Sequence, residues 1–174
     1  MRLSLIYTMA IVLSPGIYFG QKDSVEVVTA DTIMFVNAPS SLTDSVISYA
    51  ETFSGCKYGY GSCGPKSFDC SGFVMHVYGR FGVKLPHTSG GIAELCENVK
   101  WKKLQPGDLL FFSGRKVSKK NIGHLAIVKS VDSDKVIMIH ATVHAGVLVE
   151  AFDQSAYFKK RFIRAGRLTT LEKI

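Results

Sequence analysis

The feature that most constrains this chain is an order: segments of helical periodicity come first and segments of strand length come second. Leu42, Val46, Tyr49, Ala50 and Phe53 form one apolar stripe, opened by Ser41 with Asp44 three residues on and closed by Gly55. Cys70, Phe73, Val74, Val77, Tyr78 and Phe81 form a second, with Asp69 as N-cap and Gly82 as stop. A short amphipathic helix is predicted around Ile92 to Cys96. After Trp101 the texture changes. Strands are predicted over Asp108–Phe112, His124–Val131, Lys135–Ala141, Gly146–Phe152 and Arg161–Leu168, the second and third joined by Asp132-Ser133-Asp134. Helices followed by strands imply an α+β domain, its N-terminal helices packed on an antiparallel sheet of about five strands.

The second helix places Cys70 in a first turn, where unpaired backbone N–H groups and the helix dipole favour thiolate over thiol. The bland alternative is a small buried core cysteine. The hairpin adds a geometric step. Folding Gly123–Val128 back onto Val136–Ala141 about a turn near Asp132 sets His124 opposite His140, and opposed residues of an antiparallel pair share a face. His124 would draw the proton from Cys70 and return it to a leaving amine, and His140 would orient the His124 ring. A register slip of one residue would send the two histidines to opposite faces. Two histidines and a cysteine could also hold zinc, but third and fourth ligands are not evident. His76, His87 and His144 show no comparable placement. Between the two helices, the loop Cys56 to Phe68 is rich in glycine and tyrosine, a composition that lets backbone approach a ligand closely.

Residues 1–20 read as an export leader: Arg2, an apolar run from Leu3 to Leu13, the break Ser14-Pro15-Gly16, then Gly20. An uncleaved anchor is the competing reading. Residues 21–39 form an N-terminal arm in which Ile33-Met34-Phe35-Val36 is a candidate strand, and 40–174 the catalytic domain. The folded part is thus expected in the periplasm, cell envelope or exterior. In such a compartment Cys56, Cys63, Cys70 and Cys96 could pair, and full pairing would silence Cys70. The net charge of +7 gathers in Lys100–Lys103, Arg115–Lys120 and Lys159–Arg161. These clusters either meet anionic wall polymers or membrane surface, or simply solvate the protein's own surface; no nucleic-acid-binding motif accompanies them.

Five ordered motifs carry a resemblance. Asp69-Cys70-Ser71-Gly72-Phe73, Leu85-Pro86-x-Thr88-Ser89, Leu104 to Phe112, Gly123-His124-Leu125-Ala126-Ile127 and Ile139-His140-Ala141 together resemble the NlpC/P60 family of cell-wall cysteine peptidases, from about Ser40 to Leu168. The resemblance implies a papain-like α+β fold and a triad of Cys70, His124 and His140. It implies hydrolysis of amide bonds in peptidoglycan stem peptides, often between D-glutamate and a diamino acid, by a monomer that needs no cofactor or metal. It also implies substrate contacts from Tyr58, Asp69 and Ser71, and an oxyanion met by the Cys70 N–H. Ser62, His87 and Ile92 stand where the family commonly has other residues, which bears on the substrate groove rather than the triad. Two other functions compete: an acyltransferase or lipid amidase on the same Cys-His scaffold, and a non-catalytic secreted module.

Overall fold

The computed structural model describes residues 18–19, 24–29, 32–37, 41–133 and 135–169, the first three of these as backbone strands. The chain forms two compact units, residues 1–40 and 41–174. In the first, β1 (Tyr18–Phe19), β2 (Ser24–Thr29) and β3 (Thr32–Asn37) make a small antiparallel sheet in that order. The candidate strand at Ile33–Val36 lies within β3. Apart from Tyr18–Phe19, the expected leader lies outside the described residues.

The second unit begins with α1 (Leu42–Glu51), whose N-cap Ser41 accepts the Asp44 N–H, as the capping pattern requires. Two short parallel strands, β4 (Lys57–Tyr58) and β5 (Ser67–Phe68), brace the glycine-tyrosine loop. Then come α2 (Cys70–Gly79) and α3 (Ser89–Glu94). The third helix starts earlier than its sequence pattern predicts, because Thr88 caps it by accepting the Gly91 N–H. It also ends earlier, because Cys96–Val99 is a strand, β6.

That strand accounts for the count. The sheet has six strands rather than about five, in the order β10-β9-β8-β7-β11-β6, all antiparallel, with β7 at Leu109–Ser113, β8 at Ile122–Asp132, β9 at Lys135–Thr142, β10 at Gly146–Ala151 and β11 at Phe162–Leu168. A fourth helix, α4 (Ala156–Arg161), precedes β11. The two faces of the sheet bury different cores. On one, Phe73, Val74 and Val77 of α2 pack with Val46 and Ala50 of α1 and with Leu125, Ile127 and Ile139 of the sheet. On the other, Phe112, Ala126, Val128 and Met138 meet Phe152 and Phe158. Asp108 anchors the entry to β7: it is buried and paired with Arg167, at 2.6 Å from Nε to Oδ1.

Candidate active site

Cys70 stands first in α2 because Asp69 caps that helix, its Oδ1 accepting the Gly72 N–H at 2.6 Å and the Ser71 hydroxyl at 3.0 Å. The helix start lies hard against the preceding loop. A side chain at position 72 would run into the Ser62 carbonyl oxygen and the Cys63 Cα, so glycine is required there. Buried in this corner, the Cys70 sulfur lies 3.6 Å from Ser89 Oγ and 4.0 Å from the Gly123 carbonyl oxygen. The sulfur also receives the Ser71 and Leu125 backbone N–H groups. It therefore touches the backbone of β8 on both sides of His124. The His124 ring is not among its hydrogen-bond partners.

The helix-start expectation of a depressed thiol pKa does not hold in this resting arrangement. Burial pushes the Cys70 thiol above its ordinary value and the Asp69 carboxylate adds to the rise, while the Ser89, Ser71 and Leu125 hydrogen bonds pull the other way. Desolvation of the anion outweighs the helix terminus. Cys70 rests as a thiol.

The two histidines do meet, at 2.8 Å from His124 Nε2 to His140 Nδ1. They do not stand directly opposite one another. The hairpin closes as Asp132↔Lys135, and the ladder slips between Val128 and Ser130 before continuing as Val128↔Met138 and Ile127↔Ile139. That register, extended, sets Ala126 rather than His124 against His140. Lys129 is the extra residue, and its ammonium pairs with the Glu51 carboxylate of α1. Without the bulge, the hairpin-end register would carry His140 opposite Ile127, on the face away from His124. The bulge puts both rings on one face.

Aromatic side chains hold them there. Phe158 stacks on His124 with centroids 5.6 Å apart and meets His140 edge-on at 4.9 Å, and Phe112 flanks His124 at 5.8 Å. His140 is fully buried, and its Nε2 lies 2.7 Å from Oε1 of Glu150, a residue that pattern reasoning did not single out. Burial first and the neighbouring His140 second push the His124 pKa down, so the ring rests neutral.

A cavity of about 720 Å³ is lined by Cys70, His124 and Glu150 together with Tyr58, Arg115 and His144. Tyr58, expected as a substrate contact, lies on this wall; burial, then the nearby Cys70 and Asp69, raise its phenol pKa and keep it a neutral donor. Asp69 and Ser71, expected beside it, are buried behind the wall and bonded to one another, and the second Asp69 oxygen takes His87 Nε2 at 3.0 Å. His144 reaches the cavity although its sequence context offered no reason to expect it. Ser89, named in the sequence only as part of a motif, touches the sulfur. All four cysteines carry free thiols. Among the described residues, no three His, Cys, Asp or Glu side chains converge as metal ligands.

A helix-borne thiol, set against a strand whose histidine is oriented by a second histidine, defines an α+β domain of the papain-like class. Residues 55–167, well over half of the chain, match the model of the NlpC/P60 family, and the chain belongs to that family. A Corynebacterium glutamicum protein named "Probable endopeptidase" is 32% identical over 106 residues, spanning 60% of this chain and 50% of its own. The "Gamma-DL-glutamyl hydrolase" of Bacillus subtilis is 29% identical over 130 residues, 72% of this chain and 30% of its own. A solved NLP/P60 family structure from Staphylococcus aureus, described as similar to lipoprotein, superposes with a TM-score of 0.63 at 25% identity, covering 76% of this chain and 44% of that one. The chain spans about half, or less, of the length of these relatives.

Proposed function

We propose that this chain is an exported cysteine endopeptidase that hydrolyses amide bonds of peptidoglycan stem peptides, at D-glutamyl–diamino acid linkages, through Cys70, His124 and His140. The observation that carries the reading is the placement of a buried thiol and an oriented, neutral imidazole on one cavity wall. With Cys70 a thiol and His124 neutral, attack is base-assisted rather than begun from a standing ion pair.

His124 takes the Cys70 proton as the sulfur adds to the scissile carbonyl carbon. The oxyanion meets the Cys70 N–H, which as a first-turn donor has no partner within its helix. Collapse breaks the C–N bond, and the amine leaves with the proton held on His124. Water, deprotonated by His124, then splits the thioester, releasing the carboxylate and restoring the thiol. Tyr58 can donate to the substrate backbone from the cavity wall. Asp69 and Ser71 reach a peptide only if their mutual hydrogen bond opens.

Two basic clusters support an anionic wall polymer as the wider partner. Lys119 Nζ donates to the Phe162 carbonyl at 3.0 Å, tying the 115–120 loop to the end of α4, which carries Lys159, Lys160 and Arg161. Both segments border the cavity, through Arg115 on one side and Tyr157 and Phe158 on the other. The deciding experiment is mass spectrometry of purified muropeptides incubated with the chain and with Cys70→Ala. Cleavage by the first alone establishes the peptidase, and the product masses name the bond. Equal spectra from both proteins reject it.

A further inference from the structure

The hydrogen-bond chain of the site does not stop at His140. Glu150 stands on β10, where Leu148 pairs with His140 and Glu150 pairs with Met138. The carboxylate therefore reaches His140 along the diagonal, a span within range of a long side chain. It pairs with His140 and not with Arg115 or His144, the other basic side chains on the cavity wall. Among the described residues lining the cavity it is also the one acid.

We propose that Glu150 is a positioning residue that sets the protons of the whole site, acting on Cys70 only through His140 and His124. The proposal rests on the reading of Cys70 as the nucleophile and His124 as its base. An ionised carboxylate only accepts hydrogen bonds, so His140 must present Nε2–H to Glu150. A neutral ring carries one N–H, which leaves His140 Nδ1 bare. His124 Nε2 must then be the donor across the 2.8 Å contact, and His124 Nδ1 is left with its lone pair. That lone pair is what a base needs.

Without Glu150 the order can reverse. A His140 ring protonated at Nδ1 would donate to His124 Nε2 and leave the hydrogen on His124 Nδ1. The base would be capped. The two arrangements share every heavy-atom position, so the carboxylate decides between them. A second effect has the same sign. When His124 accepts the thiol proton it becomes a cation in a place where burial and His140 both oppose charge. Glu150, two hydrogen bonds away, supplies the compensating anion.

The test uses the full chain labelled with ¹⁵N-histidine, as wild type, Glu150→Gln, Glu150→Asp and Glu150→Ala. Glutamine keeps the shape and removes the charge, whereas aspartate keeps the charge and falls one methylene short of His140. In the wild type, ¹⁵N shifts are expected to show His124 protonated at Nε2. In the alanine and aspartate variants the Nδ1–H form is expected to appear. On muropeptides, kcat should fall roughly 10- to 100-fold with KM within twofold. That is less than the roughly ten-thousand-fold loss when a carboxylate bonded directly to a catalytic histidine is neutralised. A purely structural residue would lower the melting temperature and leave the tautomer unchanged. An unchanged His124 tautomer in both Glu150→Ala and Glu150→Asp overturns the proposal, and so does kcat within twofold in an active enzyme. If the wild type cleaves no muropeptide, the peptidase reading fails by itself, and the ¹⁵N shifts still decide this one.

Discussion

The two faces of the sheet build the site in different ways. On the helix face, Cys70 is placed by its immediate neighbours: Asp69 caps, Gly72 admits the loop, and Phe73, Val74 and Val77 seat the helix. On the aromatic face, His124 and His140 come from different strands, and their meeting rests on ladder register and on Phe158. The faces join at the end of β8. There Gly123 and Leu125 touch the sulfur while the side chain between them turns to the other core. The proposed nucleophile is set locally, and its proposed base is set by long-range pairing. Perturbations of the second kind should therefore do disproportionate damage to chemistry.

The largest effect is expected from shifting the register on the histidine side of the bulge. Inserting one alanine between Ala126 and Ile127 keeps Ile127↔Ile139 and turns His124 to the helix face, so hydrolysis should fall by the roughly 10²–10⁴-fold worth of a general base. Lys129→Ala keeps the extra residue and loses only the partly exposed Glu51 pair, so its kcat should stay near wild type. If the insertion and the Lys129→Ala variant behave alike, the contrast between the faces is broken.

Next in size is Phe158→Ala. Emptying this buried ring should cost roughly 3–5 kcal/mol in urea unfolding. It should also lower kcat further than a Val77→Ala change of the helix face, because Phe158, unlike Val77, braces the histidines. Equal kcat losses at equal destabilisation would remove the distinction.

The smallest effect is on stability against pH, and the faces should show it at opposite ends. His124 has a folded pKa below its ordinary 6.5, so its contribution is present above that value and is lost as pH falls through it. Cys70 has a folded pKa above its ordinary 9.0, so the folded state loses ground as pH rises past that value. Each slope is at most about 1.4 kcal/mol per pH unit. Urea midpoints across pH should show a shallower acid limb in His124→Phe and a shallower alkaline limb in Cys70→Ala, the raised Cys96 and Tyr58 supplying the rest of the alkaline limb. From the same raised pKa, Cys70 should alkylate slowly with iodoacetamide at neutral pH.

Much of the helix face was legible. The caps at Ser41 and Asp69 and the stripe of α2 follow from contiguous residues, and they stand where the pattern puts them. The end of the third helix was not legible, since Cys96–Val99 is drawn into the sheet by pairing with β11, some seventy residues on. The histidine pair was inferred on the correct face from an incorrect alignment. Closing the hairpin at Asp132↔Lys135 moves the register by three, and the bulge takes one back. The net shift is even, which is why the face survived. Glu150 offered only a lone acid in an apolar run, and nothing nearby in sequence ties it to His140.

What the chain's own order of residues determined is therefore the α+β class, the helix that carries Cys70 and the identity of the triad candidates, because helix periodicity, caps and tight turns are interactions over a few residues. What only the tertiary structure decided is the raised thiol, the tautomer chain through His140 to Glu150 and the turning inward of Asp69 and Ser71. Those depend on burial and on partners from distant strands, and desolvation acts on a group only once the rest of the fold has closed around it.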